Sequence, residues 1–178
     1  MHNDIKEILF SEEQLANKVR EMGKAISKDY KGKELVLIGV LKGSVIFMSE
    51  LMKRIDIPCC IDFMAVSSYG NSTQSSGVVR ILKDLDYDIE NKHILIIEDI
   101  IDSGITLKYL MEYLKARGTA SVNVACLLNK PARTKVKIEA KYLGFEVPDY
   151  FLVGYGLDFA EKYRNLPYVG ILKEEVYR

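Results

Sequence analysis

Apolar runs alternating with helix-periodic segments predict an α/β domain, with a mainly parallel central sheet flanked by helices. Three observations carry that expectation. Leu35-Val36-Leu37-Ile38-Gly39-Val40-Leu41 is an unbroken apolar run, as a strand buried on both faces requires. Ile94-Leu95-Ile96-Ile97 and Val122–Leu128 repeat the pattern. Between those two, Leu107, Leu110, Met111 and Leu114 fall at i, i+3, i+4 and i+7, the spacing of an amphipathic helix, which ends before Gly118. Right-handed crossovers set such strands parallel, and ligands then collect at their carboxyl ends.

Taken in order, the remaining elements fit this frame. Met1 to Glu7 is acidic and basic by turns and does not read as a signal peptide. Ser11-Glu12-Glu13-Gln14 is a capping-box pattern, and Leu15, Ala16, Val19, Met22 and Ile26 continue it as a helix that Lys31-Gly32-Lys33 ends. Val45, Met48, Met52 and Ile55 predict a second helix, closed before Pro58. Cys60 to Ser67 reads as a strand. Ser67 to Gly77 holds almost nothing to bury and is expected to be an exposed, mobile loop. Its Asn71-Ser72-Thr73 matches a glycosylation acceptor, which means little without a secretory signal. Beyond Leu128 the apolar stretches shorten, at Tyr142–Val147, Tyr150–Val153 and Tyr168–Leu172.

Composition limits the function. A chain of 178 residues, 48% of them hydrophobic, suits a single domain over 1–178 with a sizeable core. The 25 Lys and Arg balance the 25 Asp and Glu to a formal net charge of zero. Neither a nucleic-acid nor a membrane partner is expected from that balance. No apolar run approaches a membrane span. The 3 cysteines, with Cys59 and Cys60 adjacent, form no disulfide framework and fit no zinc spacing, so thiols in a reducing cytoplasm are expected. Repeats, linkers and low-complexity tracts are absent from the sequence.

Chemistry concentrates in Glu98-Asp99-Ile100-Ile101-Asp102-Ser103-Gly104-Ile105-Thr106, which leaves a buried strand and enters the Leu107–Leu114 helix. The turn at Ser103 to Thr106 offers backbone N–H groups, hydroxyls and the positive end of a helix dipole, all suited to a phosphate. The acids would repel that phosphate. They must face ribose hydroxyls, magnesium or a proton to be moved. Helix capping would explain Asp102 and Ser103 but not Glu98 and Asp99. Leu41-Lys42-Gly43-Ser44 is a glycine turn with a cation at a strand end, able to hold a diphosphate or to serve as a plain connection. The order Lys-Gly excludes a Walker loop.

The Glu98–Thr106 string resembles the phosphoribosyl-diphosphate signature of type I phosphoribosyltransferases, most closely the 6-oxopurine branch. The likeness spans roughly Leu35 to Arg164. It implies that fold, with a small hood built from the N-terminal residues and about 142–178, and a flap over about 68–78 that Ser68-Tyr69 opens. It implies that Glu98, Asp99, Ser103, Gly104, Ile105 and Thr106 bind the phosphoribosyl group, and that Lys42, Gly43 and Arg164 bind diphosphate. Lys130, Phe151 and Leu152 would read the purine, with Phe151 stacked on it. Magnesium would be bound by Glu98, Asp99 and Asp158. A cis peptide between Leu41 and Lys42 is implied as well. Ile105 departs from relatives that carry Lys there, which leaves the N–H but not the charge.

What the resemblance implies is purine salvage: transfer of the phosphoribosyl group from phosphoribosyl diphosphate to hypoxanthine, and to guanine, by a cytoplasmic homodimer or homotetramer. Asp102 would take the proton from the five-membered ring of the base, and the flap would exclude water. An adenine-specific transferase is the rival within enzymes, opposed by Lys130. A nucleic-acid-binding regulator on the same fold would show a basic face. A purely structural domain would not need three acids at one strand end. His2 and His93 carry no partner pattern, and neither a Ser–His nor a Cys–His nucleophile can be argued.

Overall fold

The computed structural model describes residues 1–68 and 79–178, Ser68 by its backbone alone. Tyr69 and the expected flap from Gly70 to Val78 lie outside the described residues.

Six strands form the main sheet, in the order β4-β3-β2-β5-β6-β7. They are β2 (Leu35–Leu41), β3 (Cys59–Ser68), β4 (Val79–Lys83), β5 (His93–Ile101), β6 (Ser121–Asn129) and β7 (Tyr142–Glu146). All neighbours pair parallel except β3 and β4, which pair antiparallel. Because consecutive side chains alternate faces, β2 feeds two cores at once. Leu35 and Leu37 pack with helices α1 (Glu12–Asp29) and α2 (Val45–Met52). Val36, Ile38 and Val40 pack with α3 (Ile105–Lys115) on the other face. The α/β expectation holds.

Helix α1 begins where the sequence places it. Ser11 Oγ accepts the Gln14 N–H while the Gln14 side chain accepts the Ser11 N–H, a complete capping box. Helix α2 differs from its expectation. It stops at Met52, leaving Ile55 in the following turn, and Val45 and Met52 point outward while Phe47, Met48 and Leu51 are buried. Met48 and Ile55 are buried as the spacing predicts, whereas Val45 and Met52 are not, on a helix that is apolar nearly all round. Strand β4 was not anticipated, because Leu82 is exposed and breaks its alternation at the sheet edge.

A second, three-stranded sheet joins β1 (Ile5–Phe10), β9 (Val169–Leu172) and β8 (Leu152–Val153), all antiparallel. Val153, Tyr163, Leu166 and Leu172 form its own core, and a last short helix, α4 (Glu174–Tyr177), follows. Strand β1 also went unread, since Lys6 and Glu7 interrupt it. The expected start of the hood at 142 needs correction. Tyr142–Glu146 pairs with β6 in the main sheet, so the smaller unit draws on residues beyond it. No helix among the described residues is long and apolar enough to cross a membrane.

Candidate active site

Strands β2, β5 and β6 are neighbours running in one direction, so their carboxyl ends deliver Lys42-Gly43, Asp102-Ser103-Gly104 and Lys130 to one edge. The sequence suggested that β5 ends at Ile97. It continues to Ile101, so Glu98 and Asp99 belong to the strand itself. They are held by sheet pairing, Glu98 opposite Cys126 and Ile100 opposite Leu128.

The turn after β5 is shaped by Gly104, whose φ of 80° is left-handed. The Val136 carbonyl lies where a Cβ would project. Ser103 O accepts the N–H groups of Lys135 and Val136 at 3.0 and 2.9 Å, tying the turn to that segment. Helix α3 therefore starts without a side-chain cap from Asp102. Among the described residues the Ser103 hydroxyl engages the first turn, accepting the Ile105 N–H at 3.3 Å. Capping thus explains neither Asp102 nor the acids before it. A cavity of about 230 Å³ opens here, lined by Glu98, Asp102, Ser103, Gly104 and Thr106 with apolar Val40 and Leu107 behind. Burial, reinforced by the neighbouring Asp99 charge, pushes the Glu98 carboxyl well above the usual carboxylate range. Asp99 is raised by burial too, with Arg164 opposing.

The turn after β2 contains the cis peptide between Leu41 and Lys42. Ser44, fully buried, donates its hydroxyl to Val40 O at 2.7 Å and fixes the turn from inside. Gly43 lies against the Asp99 carboxylate on one side, and its carbonyl lies where Gly156 would carry a Cβ. Gly156, at a φ of 102°, accepts the Arg164 guanidinium at 2.8 Å through its own carbonyl. Arg164 also pairs with Asp158 at 2.9 Å. Lys42, Gly43, Asp99, Asp158 and Arg164 are thus one connected group.

On the β6 side Lys130 is buried, and burial, with Arg133 adding to it, holds its ammonium below its ordinary range. Asp149 stands 3.9 Å from the ammonium and also accepts the Arg133 guanidinium. Arg133 in turn lies 3.8 Å from Asp102. Phe151 is half-buried, stacked on Tyr177 at 4.8 Å and edge-on to Phe159 at 5.4 Å, and Leu152 is buried in β8.

Of the expected magnesium ligands, Asp99 is backed onto Gly43 and Asp158 is engaged by Arg164 and by the Glu161 N–H at 2.9 Å. Among the described residues no three His, Cys, Asp or Glu side chains converge as a ready metal site. Hard carboxylate oxygens are nonetheless the right donors for magnesium, which takes one or two from a protein and the rest from phosphates and water. Sequence reasoning missed Glu161, Arg133, Asp149 and Gly156. Arg133 lies only three positions after Lys130 in the sequence, whereas Glu161 reaches the site through the fold.

A family model described as phosphoribosyl transferase domain matches residues 6–160. The chain is 56% identical over 177 residues to a hypoxanthine-guanine phosphoribosyltransferase of Staphylococcus aureus, covering 99% of each. It is 55% identical to a bifunctional protein TilS/HprT of Listeria monocytogenes, of whose length it spans 27%. A solved structure of a Staphylococcus aureus hypoxanthine phosphoribosyltransferase superposes with a TM-score of 0.98 at 56% identity, over 100% of this chain and 97% of that one. A mutant of the Trypanosoma cruzi hypoxanthine phosphoribosyltransferase, in a ternary substrates complex, superposes at 0.93 with 39% identity, over 99% and 100%.

Proposed function

Because the chain belongs to the phosphoribosyl transferase family, we propose that it transfers the phosphoribosyl group from phosphoribosyl diphosphate to hypoxanthine, and to guanine, releasing diphosphate. The observation that carries this reading is the shared edge of β2, β5 and β6, which groups a glycine turn with a cation, a phosphate-suited turn beside carboxylates, and a buried lysine.

Each residue has a task that its surroundings suit. The N–H groups of Gly104, Ile105 and Thr106 and the hydroxyls of Ser103 and Thr106 receive the 5′-phosphate at the start of α3, where the helix dipole favours negative charge. Glu98 and Asp99 hold the ribose hydroxyls. The Gly43 N–H, Lys42 and Arg164 hold the diphosphate. Lys130 donates to the six-position carbonyl of the purine, Phe151 offers its ring to the base, and the Leu152 backbone reads the base edge. Asp102, half-exposed at the cavity mouth, accepts the proton from the five-membered ring as the new bond forms at the anomeric carbon. Positive charge develops on the ribose in such a transfer, so carboxylates beside it are favourable. In this reading Ser68, the last residue of β3, and Tyr69, which lies outside the described residues, open the flap that excludes water.

Magnesium fits as the cofactor, and Glu98, Asp99 and Asp158 are the carboxylates from which its one or two protein oxygens would come. When bound it supplies positive charge to the departing diphosphate. The free cysteines, Cys59, Cys60 and Cys126, agree with a cytoplasmic enzyme. A homodimer or homotetramer is the assembly this reading carries.

The test is direct. Purified protein given hypoxanthine, phosphoribosyl diphosphate and magnesium should form IMP and diphosphate in equal amounts, and nothing when phosphoribosyl diphosphate is omitted. Absence of product from the complete mixture would overturn the proposal.

A further inference from the structure

Glu161 bridges the two cations assigned to the diphosphate. Its Oε2 lies 3.0 Å from the Lys42 ammonium, and its Oε1 lies 3.4 Å from the Arg164 guanidinium. Lys42 and Glu161 are separated by 119 positions in sequence, so the pairing comes from the fold alone.

The backbone of Glu161 is pinned while its side chain is not. Its φ is 61°, in the left-handed region, and its N–H is held by Asp158 Oδ2 at 2.9 Å. Reciprocal hydrogen bonds between Phe159 and Lys162, at 3.1 and 3.0 Å, close the turn around it. The carboxylate itself is well exposed, as is the Lys42 side chain. Arg164 stays fixed by the Gly156 carbonyl and Asp158 whether or not Glu161 is near. The ion pairs in this corner set Lys42 and Arg164 against Asp158 and Glu161, and Asp99 against Gly43 adds a further carboxylate, which leaves no surplus of positive charge for an incoming polyanion.

We infer that Glu161 is an internal competitor for the diphosphate: its carboxylate holds the same cations, must swing aside when the leaving group engages them, and so sets affinity for that group. The inference rests on the proposed reading of Lys42 and Arg164 as diphosphate ligands. A carboxylate offers two oxygens to two donors much as one face of a phosphate does. Turning Glu161 outward releases Lys42 from its ion-pair partner among the described residues and leaves Arg164 balanced by Asp158. The same carboxylate is on hand to take the cations back as diphosphate departs, which favours product release.

The experiment is a calorimetric titration of inorganic diphosphate, with magnesium present, into wild-type protein, Glu161→Gln, Lys42→Met and the double variant, after thermal denaturation has shown each to be folded. Gln keeps the shape of Glu but removes its charge. Glu161→Gln should bind diphosphate about three- to tenfold more tightly, the size of two exposed ion pairs released from competition. That gain should shrink as salt is raised. Lys42→Met should bind diphosphate more weakly, and Glu161→Gln should gain less in that background, since one contested cation is gone. If Lys42→Met leaves diphosphate affinity unchanged, the reading of Lys42 as a ligand fails and the competitor role fails with it. If Lys42→Met weakens binding but Glu161→Gln does not strengthen it, the competitor role alone is overturned. An equal gain in both backgrounds also overturns it, because a general charge effect would then suffice.

Discussion

Gly43 lies directly against the carboxylate of Asp99, so closely that a Cβ at Gly43 would overlap the Asp99 Oδ2 atom. Asp99 cannot give way easily. It is buried, its Oδ1 is held by the Ile100 N–H at 2.8 Å, and it stands within a paired strand. On the other side the Gly43 carbonyl fills the space that a side chain on Gly156 would need. The absence of two side chains lets three backbone segments meet where the diphosphate is proposed to bind.

Gly43→Ala should therefore disturb Asp99 and the turn together. Overpacking of this kind typically costs about 1–3 kcal/mol. Thermal denaturation should show that loss, with a much larger fall in kcat/KM for phosphoribosyl diphosphate than in affinity for the base. Adding Asp99→Ala should restore much of the lost stability, because the overlapping atoms are removed. Stability unchanged by Gly43→Ala would mean the turn relaxes freely.

Asp102→Asn tests the proton acceptor. Asp102 caps no helix and its neighbour is Arg133 at 3.8 Å, so the near-isosteric amide should leave the fold intact. Loss of a general base costs about 10²–10⁴-fold in rate. Calorimetry should show substrate affinities nearly unchanged while kcat falls by that order. A variant with normal turnover would remove Asp102 from the mechanism.

The purine-reading role proposed for Lys130 would link base recognition to pH. Burial already disfavours its charged form, so the proton leaves at a lower pH than from an ordinary lysine. Only the ammonium form donates to a purine carbonyl while carrying charge. KM for hypoxanthine should therefore rise with pH, beginning below the range where exposed lysines titrate. In Lys130→Met that dependence should vanish and KM should be high throughout, with affinity for phosphoribosyl diphosphate preserved. A pH profile of KM shared by both proteins would place the titration elsewhere.

Much of this was legible in the sequence because burial leaves a compositional mark. Strand β2 is apolar along its length since both faces are covered, and α3 shows its spacing because only one face is. The Ser103–Thr106 turn was legible as a turn, since small residues with a glycine follow the apolar strand there. The edges were not. Strand β1 includes Lys6 and Glu7, and β4 exposes Leu82, so neither alternates cleanly. Helix α2 carries apolar residues on both its buried and exposed sides, so periodicity alone could not orient it. The extent of β5 was missed because acids are poor strand formers, and only pairing with β6 holds Glu98 and Asp99 there. Glu161 had no local signal at all. Its partners are Lys42, 119 positions away, and an arginine reached through a turn of left-handed residues.

As proposed, this site delivers a phosphoribosyl group to a 6-oxopurine. Purified protein should be given phosphoribosyl diphosphate, magnesium and an equimolar mixture of hypoxanthine, guanine and adenine, with each nucleotide product separated and quantified over time. A buried lysine with donors and no acceptor can bond a carbonyl at the six position and opposes an amino group there. IMP and GMP should accumulate with matching diphosphate and at most a trace of AMP. AMP formed as fast as IMP, or no nucleotide from either oxopurine, would contradict that assignment.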